Sequence, residues 1–188
     1  GKYYKVNVSN GNTTTYSPGV PADSFYWAGA ASVGDYIVFG GDNAKVHMLR
    51  KSDMIEVTSF NIKNEEGDAG YIRSSICYNE DSDYIYFTDR GSTGYLWCLS
   101  VDTTSGSESL DHEWHREIGY STSTPAYYDD KVYVGVGAFS TTASGKLYCV
   151  NADDGDDEWN IGGETYYTTP TAGGVQASPV IYDDGSDV

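Results

Sequence analysis

Apolar and polar side chains alternate with a period of two over short stretches of this chain, and the same stretches return at intervals. In GKLYCVNADDGDDEW (145–159), apolar and other residues alternate over about five positions before a turn rich in Asn, Asp and Gly. That is the period of a strand with one buried face. GKYYKVNVSNG (1–11) aligns to it without a gap, with Gly1, Lys2, Tyr4, Val6, Asn7 and Gly11 matching Gly145, Lys146, Tyr148, Val150, Asn151 and Gly155. Further copies read AKVHMLRKSDM from Ala44 and GYLWCLSVD from Gly94. Upstream of each internal copy lies a second motif dense in Tyr, Ile, Val and Phe: GDYIVFGG (34–41), SDYIYFTD (82–89) and DDKVYVGV (129–136). Such runs suit strands buried on both faces. Each follows a segment of small residues or proline, AGAAS (28–32), RSSICY (73–78) or STPAYY (123–128), and one more copy begins at SPVIYDDGSDV (178–188).

A third element closes the unit: EWNI after Gly155, and EWHREI (113–118) delayed by the insertion TTSGSESLDH (103–112). The unit is thus a four-stranded antiparallel meander of about 45–50 residues, the repeat expected of propeller blades. The predicted fold is all-β, a β-propeller of four-stranded antiparallel blades with three whole blades plus two half-blades. Their bounds are a half-blade at 1–16, blades at about 28–62, 73–118 and 123–161, and a half-blade at about 165–188. Propellers commonly close by completing one blade from both chain ends, which removes exposed sheet edges. Three arrangements stay open: a homodimer of half-rings joined through composite blades, a piece of a longer ring, and a closed ring of four blades.

The stretch VNADDGDDEW (150–159) resembles the repeat of PQQ-type (quinoprotein-like) propellers through Val150, Asn151, Ala152, Gly155 and Trp159. The N-terminal copy departs from it with Thr15 and Tyr16 at the tryptophan position, and the copy near Met54 with Thr58. The resemblance implies that Trp159 and Trp114 dock between neighbouring blades and stack on a turn peptide. A blade cannot bury both faces alone, so a large flat side chain at the junction would seal it. On that reading Trp159→Ala costs about 3–5 kcal/mol, and Trp27, outside the motif, costs less. PQQ dehydrogenases hold calcium with Glu, Asn and Asp, use an Asp base and pack a vicinal cysteine pair on the quinone. This chain has no Cys-Cys dipeptide and no carboxylate on such a motif. No catalytic, cofactor-binding or metal-ligating residue is therefore assigned, because the repeat carries the fold and not the reaction.

Composition narrows the partners. The 188 residues carry a formal charge of −17, which disfavours nucleic acid and anionic membrane surfaces. Eighteen tyrosines and 22 glycines suit pleated surfaces and tight turns. No run of about 18 apolar residues exists, so membrane insertion is not expected. The opening GKYYKVNVSNGN does not read as a signal peptide, so an exported protein would have lost its leader or carry it elsewhere. Cys77, Cys98 and Cys149 are an odd set without C-x-x-C spacing and read as small buried hydrophobes rather than a disulfide or zinc framework.

Calcium is the one cofactor raised by composition, through DDGDDE (153–158) and NEDSD (79–83). Neither fits an EF-hand loop, which needs Gly at the sixth position and Glu at the twelfth, and solvated turns explain both. His47 falls on a strand position; His112 and His115 flank Trp114 without an evident third ligand. GAFSTTASG (137–145) lacks the Lys of a phosphate loop and reads as a rim loop. The functional expectation is a non-catalytic binding or scaffold module of an exported or cell-surface protein. It would act through TTSGSESLDH, GAFSTTASG and exposed Tyr166 and Tyr167. The alternative is a quinone- or calcium-dependent oxidoreductase, PQQ dehydrogenase-like, whose site is completed outside this chain or by a second copy.

Overall fold

The computed structural model describes residues 1–19, 22–137, 143–183 and 185. Strands β1 (Tyr3–Val6) and β2 (Thr13–Tyr16) pair as an antiparallel hairpin. Three four-stranded antiparallel meanders follow. The first joins β3 (Ala31–Val33), β4 (Tyr36–Gly40), β5 (Lys45–Arg50) and β6 (Glu56–Asn61). The second joins β7 (Cys77–Asn79), β8 (Tyr84–Thr88), β9 (Tyr95–Asp102) and β10 (Ser109–Glu117). The third joins β11 (Ala126–Tyr128), β12 (Lys131–Val136), β13 (Ser144–Asn151) and β14 (Tyr166–Ala172). Within each sheet the strands lie in chain order, as hairpin connections dictate. Among the described residues the helical element is a single 3-10 turn, Ile62–Asn64.

The first and second sheets are covered on both faces, because period-two alternation sends successive side chains to opposite neighbours. In β8 and β9, Ile85, Phe87, Trp97 and Leu99 join a core shared with the first sheet, against Val38, Val46 and Met48. Their neighbours Tyr86, Leu96 and Cys98 join a second core with Val132, Val134 and Val150 of the third sheet. The first sheet repeats the pattern: Phe39 and Leu49 turn away from the shared core and meet Tyr16 of the hairpin. There Tyr3 stacks on Phe39 with ring centroids 3.8 Å apart. The continuous apolar runs of the sequence are thus two alternating stripes, one for each adjacent blade.

Trp114 makes the inter-blade contact that the resemblance implies. It is buried, its Nε1 donates to Ala152 O at 3.0 Å, and its ring lies on Gly155 in the turn after β13. Gly155 has φ 75°, and a Cβ there would meet Trp114 Cε3 at 2.7 Å, so the turn requires glycine twice over. Arg116, two residues further along β10, donates to Gly155 O and pairs with Asp157. Trp159 differs from expectation. It is half-buried, sits outside any strand and packs edge-on against Tyr133 of its own sheet, centroids 6.0 Å apart.

Three further expectations are corrected. The outer strand of the third sheet is Tyr166–Ala172 and not EWNI, so residues placed in a following half-blade hydrogen-bond to β13. A turn through Gly162 and Gly163, both at positive φ, postpones the strand, and Pro170 disguised it, since proline in a run argues against a strand except at a sheet edge. Residues 178–183 form no strand. In the second sheet the insertion TTSGSESLDH is only partly loop, because β10 already starts at Ser109 and absorbs a bulge between His112 and Trp114. Most of GAFSTTASG, residues 138–142, lies outside the described residues.

Candidate functional site

The segments that lead into β3, β7 and β11 are stitched together side by side. Gly29 N donates to Ser75 Oγ at 2.8 Å, and Ser75 N donates to Thr124 Oγ1 at 3.0 Å. Gly29, Ser75 and Thr124 each stand two residues before the first strand of their sheet. Two residues further back stand Trp27, Arg73 and Thr122, and Gln176 has the same offset from the SPVIY copy. These four line one cavity of about 700 Å³ with Arg90, from the turn after β8, and Tyr120. The repeat thus brings one position from each unit to a common point, and among the described residues no carboxylate lines it.

The two guanidiniums differ. Arg73 is nearly buried and engages Asp42 through Nε at 2.8 Å and one terminal nitrogen at 2.7 Å, while Tyr26, Trp27 and Tyr71 surround its plane at 5.0–5.3 Å. This pairing and stacking suit Arg over Lys. Arg90 lies 4.9 Å from the ring centre of Tyr120 and 6.0 Å from that of Trp27, and its guanidinium has no hydrogen-bond or carboxylate partner among the described residues. Trp27 is 73 % exposed and holds φ 64°, a left-handed conformation unusual for a bulky residue.

The residues weighed in the sequence fall elsewhere. His47 is buried between two carboxylates, Nε2 2.9 Å from Asp23 Oδ2 and Nδ1 2.8 Å from Glu56 Oε2, and Tyr16 OH donates to Glu56. Burial alone would lower the His47 pKa, but the bonds to Asp23 and Glu56 outweigh it and raise the value. Burial acts oppositely on Glu56, where His47 and Tyr16 prevail and lower the pKa. This network pins the N-terminal hairpin to the first sheet. A raised histidine pKa contributes stability that is complete below the unfolded value near 6.5 and fades as pH rises through the folded value. A lowered glutamate pKa contributes above its unfolded value near 4.3 and fades on acidification. Thermal melts should therefore show a loss on the alkaline side that His47→Gln abolishes. An unchanged profile in that variant would refute the assignment.

His112 and His115 meet end to end, Nε2 to Nδ1 at 2.9 Å, with His115 Nε2 3.1 Å from Glu66 Oε1 and His112 Nδ1 4.0 Å from Glu65. Burial, then the neighbouring His115, lowers the His112 pKa. The carboxylates approach the outer nitrogens, which makes a hydrogen-bonded chain rather than a shared coordination point. DDGDDE is a turn held by Asn151 Oδ1 accepting from Asp153 N and by Asp154 Oδ1 accepting from Asp156 N. In NEDSD, Asn79 accepts from Asp81 N and donates to Ser82. Among the described residues no three His, Cys, Asp or Glu side chains are placed to hold one metal ion. The inner cavity, lined by cations and neutral hydroxyls, does not supply the Glu, Asn and Asp set that calcium and a quinone would need there.

Cys77, Cys98 and Cys149 are free thiols, and burial pushes all three pKa values up, Cys149 to about 11. Tyr167 is exposed, but Tyr166 is a half-buried strand residue whose ring is tilted against Tyr148, with Lys146 3.9 Å over it. The sequence pattern marks Trp27 only as a tryptophan outside the repeat motif and gives Arg73, Arg90 and Gln176 no site role. The available signal was their fixed offset from each predicted inner strand.

No family model matches the sequence, and no curated protein does. Solved structures do. BamB from Moraxella catarrhalis superposes with TM-score 0.56 at 19 % identity, over 85 % of this chain and 45 % of that one. A quinohemoprotein alcohol dehydrogenase from Pseudomonas putida HK5 gives 0.57 at 14 %, over 78 % and 22 %. The Cps50 (Swd1) β-propeller domain of Myceliophteria thermophila gives 0.61 at 12 %, over 90 % and 53 %. The chain spans about half the length of the first and third of these and less of the second. No helix among the described residues is long and apolar enough to cross a membrane. At these identities the likeness establishes architecture: the chain has a β-propeller fold.

Proposed function

We propose that this chain is a non-catalytic binding and scaffold module of an exported or cell-surface protein, and that its ligand enters the inner cavity. One observation carries the reading. Most equivalent strand positions in the repeats hold like apolar residues, such as Val46, Leu96 and Leu147 or Leu49, Leu99 and Val150, whereas the equivalent cavity positions hold four unlike ones, Trp27, Arg73, Thr122 and Gln176. The fold asks the same of each copy, so the divergence has to answer to something outside it. Loops and segments carried at the ends of a rigid scaffold are where such sites arise.

Because one of the similar structures is named an alcohol dehydrogenase, the competing reading is a quinone- or calcium-dependent oxidoreductase whose site is completed outside this chain or by a second copy. A melting series with calcium and PQQ separates the two. A ligand at 100 times its dissociation constant adds about 2.7 kcal/mol of stability, so a clear upward shift, or turnover of alcohols, would overturn the binding-module reading. The proposal extends to assembly. The β1–β2 sheet has two strands where the other three sheets have four, and two strands of a second copy would complete a blade. Light scattering at twice the chain mass supports that pairing, and a monomer at high concentration removes it.

A further inference from the structure

We propose that the inner cavity binds a small hydroxylated carboxylate of the acidic-sugar class, with Arg90 as its carboxylate anchor. This rests on the reading of that cavity as the binding site and names what enters it. In a chain of net charge −17, Arg90 faces a cavity that no acid among the described residues lines, and none of those acids takes its guanidinium. Tyr120 and Trp27 flank it, which orients the planar fork that matches a carboxylate with two parallel N–H donors. Arg73 is spent on Asp42 and serves as a fixed wall.

The remaining lining explains the hydroxylated part. Ser75 Oγ and Thr124 Oγ1 each accept a backbone N–H, which fixes the oxygens and leaves their O–H groups to donate. The Gln176 amide nitrogen donates to Gly137 O, at 3.4 Å, so its carbonyl oxygen stays open as an acceptor. The cavity therefore offers one cation, several hydroxyl donors and one amide acceptor at set positions, which fits an oxygen-rich monoanion better than an apolar or cationic ligand. Its volume of about 700 Å³ accommodates one or two sugar rings. The exposed indole of Trp27, held in a left-handed backbone conformation, stands at the mouth.

The test is an NMR titration of the whole chain with galacturonate, galactose and inorganic phosphate, following the Trp27 indole and Arg90 side-chain resonances. Galacturonate should shift both, bind at least about tenfold more tightly than galactose, and lose about tenfold or more in Arg90→Gln with an unchanged melting temperature (tenfold being the weight of one charge-assisted bidentate contact). Arg90→Lys should recover only part of the affinity, because a point charge lacks the fork. Equal affinity for galactose, equal affinity for phosphate, or an unaffected Arg90→Gln would each overturn the proposal. These outcomes leave the binding-module reading to the calcium and PQQ melts, which fail or succeed independently.

Discussion

Replacing Asp89 by alanine should cost more than about 4 kcal/mol, a size reserved for a few mechanisms such as breaking a buried network. Asp89 is fully buried in the second sheet's turn. Its Oδ1 accepts from Gly70 N at 2.9 Å and Gly91 N at 2.6 Å, and its Oδ2 from Tyr95 N at 3.1 Å and Trp97 Nε1 at 2.8 Å. Alanine leaves four donors without an acceptor, and each unsatisfied buried group costs about 1–3 kcal/mol before relaxation. Trp97 is itself fully buried in the core shared with the first sheet, so the damage reaches the blade interface. Urea unfolding followed by tryptophan fluorescence would measure it. Asp89→Asn keeps one carbonyl acceptor and turns an amide towards the other donors, so it should fall between wild type and alanine. Near-wild-type stability in both variants would refute the clamp.

Trp114→Ala should cost about 3–5 kcal/mol, the range for truncating a buried aromatic, and should lower the melting temperature by roughly 10 °C in a chain of this size. The loss combines the ring's contact with Gly155, the bond to Ala152 O and the seal between the second and third sheets. Trp159→Ala is the internal control. Trp159 is half-buried against Tyr133, so its removal should cost less than about 2 kcal/mol. Equal losses at the two positions would show that Trp114 is not the inter-blade lock. Gly155→Ala should approach the Trp114→Ala loss, since the new methyl meets the indole and the backbone sits at positive φ.

Arg90 makes a different kind of demand from these structural residues. Asp89, beside it in sequence, is closed off by four donors, whereas Arg90 turns to the cavity between two aromatic rings. On the proposed reading the adjacent pair divides labour: the acid secures the turn, and the base is left to meet a ligand. Substitution should separate the two, with Asp89 variants moving stability and Arg90 variants moving affinity.

The order of strands was legible because each strand carries its own signature. Alternation in KVHML, YLWCL and KLYCV, with glycine and Asx residues between, is local information, and antiparallel meanders require little more. The Trp114 junction was legible too, since the Glu-Trp pair of EWHREI matches that of EWNI once the insertion at 103–112 is allowed for. The third outer strand was not. Periodic spacing favoured EWNI, while the bonding partners of β13 decided for Tyr166–Ala172. Pairing is a non-local choice, and a proline-bearing edge strand advertises itself weakly.

What the sequence alone determined is the all-β class, the blade as repeating unit and the side-by-side stacking of those units, because hydrophobic period and turn chemistry act over neighbouring residues. What the tertiary structure alone decided is which side chains meet across repeats: Asp23 and Glu56 on His47, Glu66 on His115, and Trp27, Arg73, Arg90 and Gln176 around one cavity. Those groups are separated by tens of residues, and their convergence is set by the rotation between blades, a property of packing that no single stretch of chain encodes.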